Sequence, residues 1–333
     1  MLSRAFTAIL IGLVVALLFA GGAVFWGYEQ YRRPGPAAAP VTVVLEPGSG
    51  VRAIARRLAD AGVLRHPDVF VLAARFGVGG GRDLKAGEYA FPAHASIAQL
   101  LAKLRAGETV VRRLTVPEGL TSREVLALVE AAEGLAGEAG EPPPEGALLP
   151  ETYHYSYGDG RADLVARMRE AMRHALEELW PGRQPDLPLQ SPEQALVLAS
   201  IVEKETGLAT ERGRIAGVFM NRLRRDMRLQ SDPTVLYALT EGRGRLERPL
   251  SRADLAVDSP YNTYLYGGLP PGPIANPGRA ALAATLRPAS TDELYFVADG
   301  SGGHAFASSL AEHQRNVAHW RRLQRQENVP AGE

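Results

Sequence analysis

The sequence has 333 residues, with 37 Lys plus Arg against 37 Asp plus Glu, no cysteine, 46% hydrophobic residues and 7% aromatic ones. That length suggests about two domains of ~100–200 residues, and a net charge of zero removes the chain-wide electrostatic basis for binding nucleic acid. Without cysteine there is no thiolate nucleophile, cysteine zinc site, iron–sulfur cluster or disulfide.

From Ala5 to Tyr28 no charge interrupts an apolar run, which is long enough to cross the ~30 Å hydrocarbon core of a bilayer. A secretory signal would have a shorter apolar core and a small-residue cleavage site, which Ala20-Gly21-Gly22-Ala23 can imitate. Trp26, Tyr28 and Tyr31 fall where an interfacial aromatic belt would lie and favour a retained anchor. Arg4 and the terminal amine on one flank nearly balance Arg32 and Arg33 on the other, so charge alone does not orient the chain. Residues 34–40 are rich in Pro and read as a stiff extended spacer holding the folded part off the bilayer.

Val41 to Leu45 is a β-branched run ended by Glu46-Pro47-Gly48, and Val51, Ile54, Ala55 and Leu58 then recur at helical spacing. Pro67 opens a second helix, Tyr89 lies in a short strand, and Ser96 caps a third helix through Leu100, Leu101 and Leu104. A strand from Val110 to Val116 completes an α+β module over residues 41–115. Gly77 to Gly81 is a glycine-rich loop, because it follows a helix and lacks the spacing of a dinucleotide fingerprint. Thr121 or Ser122 caps the next helix, and Glu133 to Pro144 is an acidic, Pro-rich linker or surface loop, so residues 116–144 are set apart.

From Glu145 the pattern is mostly helical. Ser191-Pro192 with Gln194 reads as a capping box opening a helix that stops at Gly207, and a second helix runs from about Thr210 to Leu223. Asp232-Pro233 and Asn276-Pro277 each read as an N-cap followed by proline at the first helical position. Leu294 to Ala298 is a strand with a glycine turn after it, and residues 327–333 form a tail. The fold class is α+β: an N-terminal transmembrane helix, the small α+β module, then a mostly helical domain over 145–326 with a small β element.

No Walker A, His-Glu-x-x-His or Gly-x-Ser-x-Gly motif is present, and the histidines lack metal-ligand spacing. The segment Ala199-Ser200-Ile201-Val202-Glu203-Lys204-Glu205-Thr206 stands out, because it sets two carboxylates in the last turn of an apolar helix. A helix C-terminus disfavours negative charge. At about 100° per residue Glu205 falls on the side of Leu198, Ile201 and Val202, and Glu203 falls opposite. Glu205 is then the more desolvated, with the raised pKa that a general acid needs. Both carboxylates also fit an ordinary charged helix end. Downstream, Asn221, Gln230, Asp232, Tyr261, Asn262, Thr263 and Tyr264 are materials for a carbohydrate groove: tyrosine rings stack on sugar faces, and amides and carboxylates fix hydroxyls. Singly, each of these residues also fits a cap, a loop tie or a core role.

Together the ordered segments Glu145 to Tyr153, Ala199 to Thr206, Val218 to Leu223, Met227 to Val235, Tyr261 to Tyr264, Gly268 to Ile274 and Leu294 to Ala298 resemble the MltG (YceG-like) family of membrane-anchored endolytic murein transglycosylases. The resemblance implies a LysM-like module at 41–115 and a lysozyme-like catalytic domain after it, on a single-pass inner-membrane protein with its bulk in the periplasm. It implies that Glu205 is the catalytic acid, that Tyr261, Asn262 and Tyr264 position substrate, and that Gln230 and Asp232 line the same groove. It further implies peptidoglycan glycan strands as substrate, synthases of the penicillin-binding type as partners, and no metal or organic cofactor. Glu151 stands where many relatives carry Asp, and the 133–144 stretch matches no family motif. Two other readings fit the same residues: a non-catalytic scaffold that binds peptidoglycan, and a hydrolase in which Asp232 or Glu203 activates water.

Overall fold

The computed structural model describes residues 2–76, 84–244 and 246–327, so the glycine-rich loop expected at 77–81 and nearly all of the expected tail lie outside the described residues. The chain forms two compact units, Met1–Arg112 with His154–Gly158, and Arg113–Tyr153 with Asp159–Glu333.

The first unit opens with α1 (Leu2–Arg32), a continuous helix whose stretch Phe6–Arg32 is long and apolar enough to cross a membrane. Its body follows as β1 (Val41–Leu45), α2 (Val51–Asp60), α3 (Pro67–Phe76), β2 (Gly87–Phe91) and α4 (Ile97–Ala106). β1 and β2 pair antiparallel with Val43 opposite Tyr89, and the two-residue period of β1 turns Val43 and Leu45 inward. They meet Ile54 and Leu58 of α2, Phe70 of α3, and Leu100 and Leu104 of α4 in one core. Burial of Tyr89 is tolerated because its hydroxyl donates to the Lys85 carbonyl at 2.8 Å. Ser96 and Gln99 form a reciprocal capping box on α4, as the sequence indicates.

The segment after α1 does not stand free as a spacer. Gly35 donates to the His94 carbonyl at 3.0 Å and His94 donates to the Ala37 carbonyl at 2.8 Å, while Ala37 is buried. A Cβ at position 35 would run into the Ala95 carbonyl, so the missing side chain of glycine permits this close approach. Tyr31 also packs against the core of the unit. The prolines therefore stiffen a strap laid along the unit.

The second unit contains α5 (Ser122–Ala131), α6 (Arg161–Leu179), α7 (Pro192–Glu205), α8 (Ala209–Arg224), α9 (Asp232–Thr240), α10 (Arg279–Leu286), β5 (Tyr295–Ala298), β6 (His304–Ala307) and α11 (Leu310–Glu327). Before α5, β3 (Val111–Thr115) pairs with β4 (Thr152–Ser156). The hub is α7: Leu198, Ile201 and Val202 pack with Ile215, Phe219 and Met220 of α8, and Ala199 packs with Leu282 of α10. The β5–β6 hairpin, with Phe296 opposite Phe306, sets the Phe296 ring edge-on to Phe219 at 5.7 Å between centroids. α5 and the acidic loop after it lie in this unit. Arg161 closes the loop by donating to the carbonyls of Leu135 and Gly137 at 2.8 and 2.9 Å.

Three caps differ from expectation. On α9 Asp232 is the first helical residue and Ser231 stands at the N-cap, so the proline falls at the second helical position. On α7 the Ser191 hydroxyl accepts from Gln194 as expected, but the Gln194 carboxamide takes its hydrogen bond from the Gln190 N–H. Asn276 does not cap α10, which starts three residues later after Gly278. Its buried carboxamide accepts from the Leu148 N–H at 2.9 Å and donates to the Leu120 carbonyl at 3.0 Å and the Ser122 hydroxyl at 3.3 Å. Two segments remote in sequence, at 120–122 and at 148, are joined by one side chain, and that satisfaction outweighs a helix-start role. Asn276→Ala leaves the Leu148 N–H unpaired, whereas the Leu120 carbonyl keeps the backbone N–H of residue 276 and the Ser122 hydroxyl keeps the Pro144 carbonyl. The substitution is expected to lower the stability of the second unit by about 1–3 kcal/mol, measured as a shift in its urea-unfolding midpoint.

Candidate active site

α7 is apolar on nearly every side, with Val197 to Val202 all buried, and its last turn delivers Glu203, Lys204 and Glu205 to the edge of that core. Glu203 is 5% exposed along its side chain. It accepts from the Gly278 N–H at 2.9 Å and faces the Arg212 guanidinium, which also reaches Glu118 at 3.2 Å. Lys204 donates to the Gly119 carbonyl at 3.0 Å. Burial pushes the Glu203 pKa up while the Gly278 N–H opposes it. The helical wheel makes Glu205 the more desolvated carboxylate, yet both are withdrawn from water. They differ in partners: Glu203 has a peptide N–H and a cation, whereas Glu205 has a single hydroxyl.

That hydroxyl belongs to Ser231, which donates to Glu205 Oε1 at 2.5 Å. Glu205 keeps partial solvent access, while the packing around it removes most of the water that would stabilise its charge. Burial, joined by the negative charge of Asp232, pushes its pKa up to about 7. The Ser231 hydrogen bond and the positive potential of His304 and Arg222 act in the opposite direction. Near neutrality this carboxyl is poised to give up a proton and to take one back.

Ser231 occupies the N-cap of α9, where a serine hydroxyl ordinarily accepts from the first turn, but it makes no capping bond there. Backbone contacts hold it instead. Its N–H donates to Thr263 Oγ1 at 3.0 Å, Thr263 Oγ1 lies 2.9 Å from Thr234 Oγ1, and Thr234 donates to the Ser231 carbonyl at 2.7 Å. Gln230, in a left-handed conformation at φ 50°, donates its N–H to the Thr263 carbonyl. Such a conformation costs a non-glycine residue about 1 kcal/mol; here the surrounding bonds maintain it.

The residues indicated by the sequence divide into three groups. Glu205, Asp232, Thr263 and Tyr264 join one hydrogen-bonded wall, with the Tyr264 hydroxyl donating to Asp232 at 2.5 Å and the exposed Gln230 at its turn. Burial and then Asp232 push the Tyr264 phenol up. Tyr261 and Asn262 shape the loop below. Asn262 is fully buried, donates to the Leu255 and Val257 carbonyls and accepts from the Tyr264 N–H, and the Tyr261 ring lies 4.8 Å from Tyr237. Asn221 is committed elsewhere, donating to the Thr291 and Glu293 carbonyls at 2.7 and 3.0 Å.

Three contributors escape the sequence reading. Ser231 is hidden as the start of a helix. Arg222 is buried, donates to the Leu294 and Leu229 carbonyls at 2.7 and 2.6 Å, and brings positive potential to Glu205. Of the four arginines of α8, Arg222 falls at helical spacing from Val218 and Phe219, on the face that packs inward, and that spacing is the available signal. His304 is held by Glu211, which faces its Nδ1 at 2.7 Å and accepts from its N–H. Beside Asp232 runs an open groove of about 490 Å³, lined by Thr121, Glu124, Lys204, Tyr237 and Arg248 among others. Among the described residues no cluster of three or more His, Asp or Glu is arranged to hold a metal ion.

The YceG-like family model matches residues 43–319. The chain belongs to this family. A Streptococcus pneumoniae serotype 2 (strain D39) protein named endolytic murein transglycosylase is 33% identical over 91% of this chain and 63% of its own length. A Bacillus subtilis (strain 168) protein of the same name is 38% identical over 52% of this chain and 47% of its own. The chain thus spans under two thirds of the pneumococcal relative. A crystal structure of a yceG-like protein from Listeria monocytogenes is 31% identical, covering 84% of this chain and 99% of that one, at a TM-score of 0.49.

Because the folded pKa of Glu205 lies above its unfolded value, folding takes up a proton between about pH 4.5 and 7, and stability falls as pH rises through that window. Glu205→Gln removes the penalty. The variant is expected to be more stable than wild type at pH 8 by roughly 1–3 kcal/mol and equal to it at pH 4, as read from urea midpoints at the two pH values.

Proposed function

We propose that this YceG-like chain is a membrane-anchored endolytic peptidoglycan transglycosylase that cuts within nascent glycan strands and limits their length. The observation that carries the reading is the Glu205 carboxyl, raised to about 7 and held by the Ser231 hydroxyl, with their chain neighbours Lys204 and Asp232 lining an open groove. The names of the pneumococcal and Bacillus relatives support the same chemistry.

In this reading Glu205 protonates the glycosidic oxygen between N-acetylmuramic acid and N-acetylglucosamine, and the C1–O4 bond breaks. The resulting carboxylate takes the proton of the muramic 6-hydroxyl as that oxygen bonds to C1. The products are a 1,6-anhydro-muramic end and a free 4-hydroxyl on the sugar that leaves. No water is consumed and the carboxyl is regenerated. A second catalytic carboxylate, as in ordinary glycosidases, is unnecessary, because the nucleophile is already tethered to the reacting sugar. Ser231 occupies Glu205 Oε1 by donating to it, leaving Oε2 as the oxygen that carries the transferred proton. Asp232 borders the groove and, with the Tyr264 hydroxyl bonded to it, contacts sugar hydroxyls; Tyr261, Asn262 and Thr263 set the loop that carries Tyr264, and the exposed Gln230 adds a polar contact. Asn221, whose carboxamide is bonded to the Thr291 and Glu293 carbonyls, is left out of this wall.

The same reading takes the α+β module as LysM-like, the catalytic unit as lysozyme-like, and α1 as a retained inner-membrane anchor with the bulk of the chain in the periplasm. Synthases of the penicillin-binding type, working on the same strands, are the expected partners.

Incubation of the protein with uncrosslinked glycan strands, followed by mass spectrometry, tests the reaction. Anhydro-muramic ends are expected from wild type and none from Glu205→Gln. Reducing ends would instead identify a hydrolase, with Asp232 as the water-activating candidate; unchanged strands from a folded, glycan-binding protein would identify a scaffold. Ser231→Ala removes the bond that lowers the Glu205 pKa. Its alkaline limb of kcat/KM against pH is expected to move upward, and an unmoved limb would reduce Ser231 to a structural role.

A further inference from the structure

α3 carries charge only at Asp68 and Arg75, and such a helix is ordinarily covered on all sides. One face is covered: Phe70 and Ala74 are fully buried in the core of the first unit. The other is not. Leu72 is 59% exposed and Phe76 82% exposed, and their four-residue spacing sets them on one face. Outside α1, the large apolar side chains exposed in this unit among the described residues are these two and Val111.

The position of α3 along the anchor says what covers it. From Phe6 to Trp26 an α-helix advances about 30 Å, the thickness of the hydrocarbon core. Trp26 therefore marks the level at which α1 leaves the acyl chains, as expected of an interfacial tryptophan. The Trp26 ring stands edge-on to His66, 5.4 Å between centroids, and His66 immediately precedes α3. Since α1 stays helical to Arg32, Tyr31 packs on the core and Gly35 to Ala37 are strapped to it, the unit has no free tether on which to swing away from this depth.

We propose that the exposed face of α3 is a second membrane contact, with Leu72 and Phe76 seated at the boundary between headgroups and acyl chains. Arg65 and Arg75, both exposed, flank the apolar pair and reach toward lipid phosphates, the pattern of an interfacial helix. Asp68, exposed in the first turn and four residues before Leu72, shares this face and meets the headgroup layer. The lipid surface is the occupant because it is continuous with the anchor. The inference rests on reading α1 as a retained transmembrane helix.

The absence of cysteine permits single labels on the full chain. Leu72→Cys, Phe76→Cys, Phe19→Cys in α1 and Arg52→Cys on the exposed side of α2 are each labelled with a small environment-sensitive fluorophore. The proteins are then reconstituted in vesicles of phosphatidylcholine and phosphatidylglycerol containing nitroxide lipids with the quencher placed shallow or deep. The labels at 72 and 76 are expected to be quenched by the shallow nitroxide several-fold more than the label at 52, and the label at 19 by the deep one. If the labels at 72 and 76 behave like that at 52 while 19 is quenched, the α3 contact is wrong and the anchor stands. If 19 is also unquenched, the anchor reading fails and the α3 contact fails with it.

Discussion

The Ser231 to Glu205 hydrogen bond joins the two parts of the second unit that make a site: the end of an apolar helix and a loop whose backbone is tightly cross-bonded. A carboxyl at a helix C-terminus inside apolar packing prefers to stay protonated, whereas a short hydrogen bond from serine favours its anion. Glu205 is held between these tendencies. Neither side alone gives a group that both donates and accepts a proton near neutral pH: full burial would leave it a permanent acid, and solvation would leave it a permanent anion.

The rest of the unit keeps that balance in place. Glu203 and Lys204 anchor the last turn of α7 to the Gly278 and Gly119 backbone, so Glu205 cannot swing into solvent without breaking them. On the other side, Thr263 and Thr234 hold Ser231 through its backbone and leave its hydroxyl for Glu205. Arg222, buried and bonded to the backbone, contributes positive potential without ion-pairing to the acid. A direct salt bridge there would lower the pKa and abolish the acid form.

Much of this was legible from residue pattern. The apolar period of α7 placed Glu205 toward the core, and the density of polar and turn residues at 229–234 and 261–264 pointed to a common wall. The individual roles were less legible, because they depend on bonds between residues remote in sequence. Asp232 reads as the cap of α9 and hides Ser231 beside it; only the approach of Thr263, some thirty positions later, shows how Ser231 is held. Asn276 reads as a cap because Pro follows it, and only the approach of Leu148 and Leu120 shows that its carboxamide is a tie. Residues 34–40 read as a free spacer because proline content reports stiffness, not what a stiff segment lies against. The strap depends on His94 and Ala95, whose nearness no local pattern encodes.

The account turns on the protonation of one carboxyl, so the most direct measurement is its titration. In protein carrying ¹³C at the glutamate side-chain carboxyl, the Glu205 resonance is identified by its loss in Glu205→Gln and followed against pH. A midpoint of about 7 is expected. A midpoint at the ordinary glutamate value near 4.5 would mean that the carboxyl is an anion throughout the neutral range, and it would contradict the role of Glu205 as the proton donor.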